Sequence, residues 1–228
     1  MPTRTGLPEA LIELQNRARS KPDFHAETGP VLHTDLYEYI RGNKDKGKGV
    51  IEIGSYKGAS SIVLAYVCKE LQMSFYTLDI NQGYLAYTRD LLEELGLAAH
   101  TTFFPGSAAD FAQVTRLEYK PLLVFVDGDH TYSGVVKDIK AIYQLNRRPY
   151  AMAFHDFSLR SFKYENINVD RAICDTFGQR VEYKRIGVQF GEHPTPSQDN
   201  PSAQGSYWEY NGSEAVLVEI DSVEQLRI

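Results

Sequence analysis

Hydrophobic positions along the chain fall into two alternating kinds of segment. Short apolar runs occupy 49–54 (GVIEIG), 74–79 (SFYTLD), 101–105 (TTFFP), 121–127 (PLLVFVD) and 150–156 (YAMAFHD). Runs of that length, rich in β-branched and aromatic residues, predict strands. Between them, 58–71, 82–95, 107–117 and 132–146 carry apolar residues at three- and four-residue spacing and predict amphipathic helices. Further helices are predicted over 8–19 and 31–41, ahead of the first strand, and near 168–178. Regular alternation of strand and helix requires crossover connections, hence a mostly parallel sheet covered on both faces. The tail breaks the alternation: VEYKRIGVQF and AVLVEI are strand-like with no helix between them. They predict an antiparallel hairpin at the sheet's edge. The expected fold is α/β, a doubly wound, mostly parallel seven-stranded sheet with that edge hairpin and N-terminal helices. Residues 1–47 read as a helical extension and 48–228 as the main domain.

Composition narrows the partners. A chain of 228 residues, 43% hydrophobic, buries one sizeable core. Its net charge of −6 argues against nucleic acid, which is held by clustered Lys and Arg. Cys68 and Cys174 lie far apart in helical patterns and read as core residues, not as a disulfide or thiolate site. No stretch approaches the ~20 apolar residues that span a bilayer. The first residues lack a signal-peptide run, so the expectation is a cytoplasmic protein with no membrane partner. Asn211-Gly212-Ser213 reads as a turn. Residues 191–213, rich in Pro, Ser, Asn and Gly, read as a long loop in which Tyr207, Trp208 and Tyr210 suggest a contact role.

The chemistry sits at the strand ends. In IEIGSYKGASS, Gly54 follows the first strand and Gly58 opens the next helix, where the absence of a Cβ lets a ligand approach the backbone. The plain alternative is a tight turn and nothing more. The spacing G-x-x-x-G departs from the dinucleotide fingerprint G-x-G-x-x-G, which disfavours NAD. Glu52 interrupts an apolar strand, and Asp79 ends the second, where a carboxylate can accept hydrogen bonds from both hydroxyls of a ribose. PGSAADF adds Ser107 and Asp110 after the third strand. Ligands of open α/β sheets gather at these carboxyl ends, so the three turns describe one pocket.

The stretches EIGSYKGASS, YTLDI and VDGDHTYSGVVKDI resemble the cofactor-binding half of the Rossmann-like class I S-adenosylmethionine-dependent methyltransferases. They are most similar to small-molecule O-methyltransferases related to macrocin and other antibiotic-sugar methyltransferases, and to cephalosporin hydroxylase-like proteins. The resemblance covers about 48–160. It implies S-adenosylmethionine as cofactor, with Glu52, Gly54 and Ser55 near its methionine end, Gly58 in the same turn, Asp79 at the ribose, Ser107 and Ala108 beside the adenine, and Asp127 bordering the site. The implied partner is a small hydroxylated acceptor, a sugar or a phenol or diol.

Asp127 ends the fourth strand and His155-Asp156 end the fifth, so the sheet makes them neighbours. The resemblance implies a divalent metal, Mg²⁺, held by Asp127, Asp156 and His155; a histidine ligand would favour Mn²⁺ or another transition metal. The proton acceptor is Asp129 or His130, with His130 preferred because imidazole titrates near neutrality. For Asp129 the alternative is a cap on the next helix. Asp138 is expected on a solvated helical face. The N-terminal helices and the 191–213 loop are expected to shape the acceptor pocket or a subunit contact, which would suit a homo-oligomer. A protein that keeps the fold and cofactor but transfers no methyl group is the alternative function.

Overall fold

The computed structural model describes residues 6–162, 166–197, 205–223 and 225–227. Five parallel strands, β1 (Gly49–Ile53), β2 (Ser74–Asp79), β3 (Thr101–Pro105), β4 (Leu123–Val126) and β5 (Ala151–His155), lie in the order 3-2-1-4-5. The helices α3 (Ala59–Leu71), α4 (Gln82–Glu94), α5 (Ala108–Val114) and α6 (Tyr132–Tyr143) connect them. The strand order reverses between β1 and β4, and that switch point opens a crevice above the sheet.

The C-terminal strands, β7 (Lys184–Gln189) and β10 (Ser213–Glu219), complete seven. Only β10 runs antiparallel to the rest: it inserts between β5 and β7, leaving β7, parallel to β5, at the edge. The expected edge hairpin is thus present, preceded by α7 (Val169–Phe177).

Two apolar layers sandwich the sheet. On one face, Leu11 and Ala18 of α1 (Glu9–Arg19) and Leu32, Leu36 and Ile40 of α2 (Pro30–Gly42) join Ile62, Val63 and Phe75 in one cluster. On the other, Ile51, Val124, Phe154 and Val216 of the strands meet Val135, Ile139 and Ile142 of α6 and Ile173 of α7. The N-terminal helices therefore share the main core.

Residues 191–213 are more ordered than a loop. Ser206–Trp208 (β9) pairs on one side with β6 (Leu159–Ser161) and on the other with Thr195–Pro196 (β8) in a separate three-stranded sheet; 198–204 lie outside the described residues. Burial decides it: Trp208 stacks on Phe190 at 4.7 Å and turns an edge to His155 at 6.5 Å. Among the described residues no helix is long and apolar enough to cross a membrane.

Candidate active site

The ends of β1 to β4 surround a cavity of about 680 Å³, within the range of small-molecule sites. Gly54, Asp79, Ser107, Ala108, Asp127, Asp129 and His130 line it, together with Glu27, Ile80, Tyr84 and Asp138. A depression of about 800 Å³ at the opposite end of the sheet, between Tyr39, Lys184 and Arg227, holds none of these residues.

Glu52, Ser55 and Gly58 stand behind the cavity wall. Glu52 is completely buried, and its carboxyl accepts hydrogen bonds from Ser60 Oγ (2.7 Å), Ser61 Oγ and Thr77 Oγ1 (2.7 Å). It pins α3 to β1 and β2 and faces no ligand. Burial pushes its pKa up to about 7 against the lowering effect of those three hydroxyls. Gly54 has φ +89°, and a Cβ there would meet the Asp127 carbonyl oxygen at 2.3 Å. Glycine is thus required by the approach of β4 as much as by any ligand.

Asp79 organises the turn. Its Oδ2 accepts from Ser55 N (3.0 Å), Ser55 Oγ (3.1 Å) and Tyr56 N (3.0 Å), holding Tyr56 in a left-handed conformation at φ +42°. Among the described residues Oδ1 accepts only from Asn81 N (2.8 Å), so a lone pair remains toward the cavity. That free acceptor, set among the apolar walls Ile53, Leu78 and Ile80, fits the ribose of a nucleoside cofactor. Ser107 differs from expectation: its Oγ and N both donate to Asp110 Oδ2, and Asp110 N donates back, a capping box on α5. Its hydroxyl is already committed, so Ser107 borders the cavity as backbone.

At the other end of the cavity Asp127, His130, His155 and Asp156 come together. His155 Nδ1 lies 2.7 Å from Asp127 Oδ1 and 3.3 Å from Asp156 Oδ1; His130 Nδ1 lies 3.1 Å from Asp156 Oδ2. Asp156 itself takes a left-handed conformation, φ +54°, strain of the kind that functional sites retain. His155 is 4% exposed, and burial alone would lower its pKa, but the charges of Asp127 and Asp156 overcome this and hold it well above 6.5. On the far side, Glu214 Oε1 lies 3.7 Å from His155 Nε2. Glu214 also accepts from Gly29 N (2.8 Å) and Val188 N (2.9 Å).

This arrangement bears on the expected metal. A histidine ligand must be neutral and offer a lone pair to the ion. His155 instead stands between the carboxylates, whose charges favour its protonated form. Among the described residues no group of three or more His, Cys, Asp or Glu side chains could hold a metal ion. Asp127, His155 and Asp156 are neighbours, as expected, yet as an ion-pair cluster they do not fit a metal-ligand set.

Four other placements differ from the sequence reading or were absent from it. Asp129 Oδ1 accepts from Thr131 N (2.9 Å), and its carboxyl packs where a Gly134 side chain would stand, so it serves the start of α6. Asp138 is not on a solvated face: it lines the cavity, and burial followed by Asp129 raises its pKa to about 7. Glu27 and Glu214 carried no motif; the signal for Glu214 was a lone acid opening an apolar run, whereas Glu27 lies in an unremarkable inter-helix segment. Burial, then Asp127 and Asp156, raise the pKa of Glu27.

Residues 51–157 match a protein-family model described as a methyltransferase domain. This segment, just under half of the chain, resembles a methyltransferase domain. The domain's whole setting recurs in solved structures. An O-methyltransferase from Streptomyces achromogenes, TomG, involved in tomaymycin synthesis and solved with its SAM, is 17% identical over 93% of this chain and 90% of that one, TM-score 0.59. An O-methyltransferase from Bacillus cereus solved with SAH is 14% identical over 95% and 93%, TM-score 0.60. The SAH-bound Podospora anserina methyltransferase PaMTH1 is 21% identical over 67% of this chain and 64% of its own length, TM-score 0.53. At these identities the likeness establishes the class I methyltransferase fold. No curated protein sequence matches.

Proposed function

We propose that the methyltransferase moves a methyl group from S-adenosylmethionine to a hydroxyl of a small molecule, a sugar, phenol or vicinal diol. The observation that carries this reading is the His130–Asp156 pair, 3.1 Å apart at the rim of the cavity whose far wall is the Asp79 turn. The names of the Streptomyces and Bacillus relatives, both O-methyltransferases, support the choice of oxygen as acceptor.

S-adenosylmethionine, when bound, supplies an electrophilic methyl group on a sulfonium. The protein's part is orientation and proton transfer. Asp79 Oδ1 accepts from the ribose. With its Nδ1 proton directed to Asp156, His130 presents the Nε2 lone pair to the acceptor hydroxyl, the division of labour found in other His–carboxylate pairs. As the new oxygen–carbon bond forms and the carbon–sulfur bond breaks, the hydroxyl proton passes to His130 Nε2. His155 balances the charge of Asp127 and Asp156 and so keeps Asp156 fixed behind His130.

Calorimetry with S-adenosylhomocysteine and label transfer from methyl-labelled S-adenosylmethionine to a panel of sugars, phenols and diols test the reading. Micromolar binding and labelling of at least one hydroxyl acceptor are expected. Absence of cofactor binding would refute it.

A further inference from the structure

Asp138 is a half-buried carboxyl on the cavity wall to which the mechanism gives no task. It projects from α6 on the side facing the N-terminus of α5, near Gly128 and alongside Ala141 and Gln144. Among the described residues it has no hydrogen-bond or ion-pair partner, whereas its polar neighbours are engaged: Ser107 and Asp110 satisfy each other, and Asp129 accepts from Thr131 N. Its carboxyl therefore has acceptor capacity open to a ligand donor in the cavity.

Resting on the S-adenosylmethionine reading above, we infer that Asp138 selects the adenine base by accepting a hydrogen bond from its 6-amino group. The chain's own constraints favour this over Ser107, whose hydroxyl is locked in the α5 cap. Burial and Asp129 hold the Asp138 carboxyl near neutrality, with Lys137 opposing, so the group enters a covered contact with little charge to desolvate. Lys140 lines the same wall and bears a charge of the wrong sign to accept from an amine.

The test is calorimetry on the full chain with two probes, S-adenosylhomocysteine and its analogue lacking the 6-amino group. Wild type is expected to bind the adenine compound about ten-fold more tightly, the scale of one buried hydrogen bond. Asp138→Asn keeps an acceptor oxygen and should retain the preference; Asp138→Ala should abolish it while still binding both probes. Equal affinity of wild type for the two probes overturns the inference and leaves the methyl-donor reading standing, and so does an undiminished preference in Asp138→Ala. Failure of wild type to bind either probe overturns both. Should Asp138→Ala not fold, the wild-type preference and the Asp138→Asn result decide.

Discussion

His130 Nδ1 lies 3.1 Å from Asp156 Oδ2, which ties the turn after β4 to the residue following β5. That pairing holds the ring at the cavity rim, where a general base would stand. Replacing His130 by Ala should lower methyl transfer by about 10²-fold or more while leaving S-adenosylhomocysteine affinity within two-fold of roughly its original value. Asp156→Asn, whose side chain tolerates the left-handed backbone, should lower kcat with little change in KM. Equal activity of His130→Ala and wild type in the label-transfer assay would remove His130 from the mechanism.

The seat of His155 between Asp127 and Asp156 makes a distinct claim about metals. Exhaustive chelation with EDTA followed by dialysis is expected to leave label transfer unchanged, and added Mg²⁺ should not raise it. Restoration of a lost activity by Mg²⁺ or Mn²⁺ would return His155 and the two aspartates to the role of ligands.

Glu214 binds three separate elements: His155 on β5, Gly29 ahead of α2, and Val188 on β7. Glu214→Ala strands two part-buried backbone donors and leaves the buried His155 ring without this carboxylate. Urea unfolding should show a loss of about 3 kcal/mol or more, the cost of breaking a buried charge pair.

Glu52 gives a pH signature. Its folded pKa, about 7, exceeds the ordinary 4.5, so the unfolded chain gives up the proton first. Stability owed to neutral Glu52 is complete below about pH 4.5 and is lost as pH rises to about 7. Relative to Glu52→Gln, wild type should therefore lose stability across that window, by ~3 kcal/mol in order of magnitude, and run parallel above it. Parallel curves from pH 4 to 8 would mean that Glu52 ionises normally.

Gly54→Ala meets both a positive φ and the Asp127 carbonyl. It should cost at least ~2 kcal/mol and abolish cofactor binding, since the turn and the end of β4 must separate to admit the methyl group. A variant with wild-type melting temperature and affinity would show that the two strand ends are free to part.

Much of this was written in the sequence. The alternation of period-2 and period-3.6 segments determined the five parallel strands and their helices to within a few residues, because burial of an apolar face is a local pattern. It also put Asp79, Asp127 and Asp156 at strand ends, and topology alone then makes those ends neighbours. What the pattern left open was the use of each polar atom. Ser107 looked like a ligand contact and is a helix cap; Glu52 looked like part of the pocket and is a buried tie; Asp138 looked solvated and lines the cavity. The reason is that a hydrogen bond or a pKa depends on partners that the fold supplies from afar. Gly29 and Glu214 meet across 185 positions, through a β10 that inserts inside the sheet. The sequence determined where the acids and histidines would gather, and only the tertiary structure decided which of them were already satisfied and which still faced the cavity.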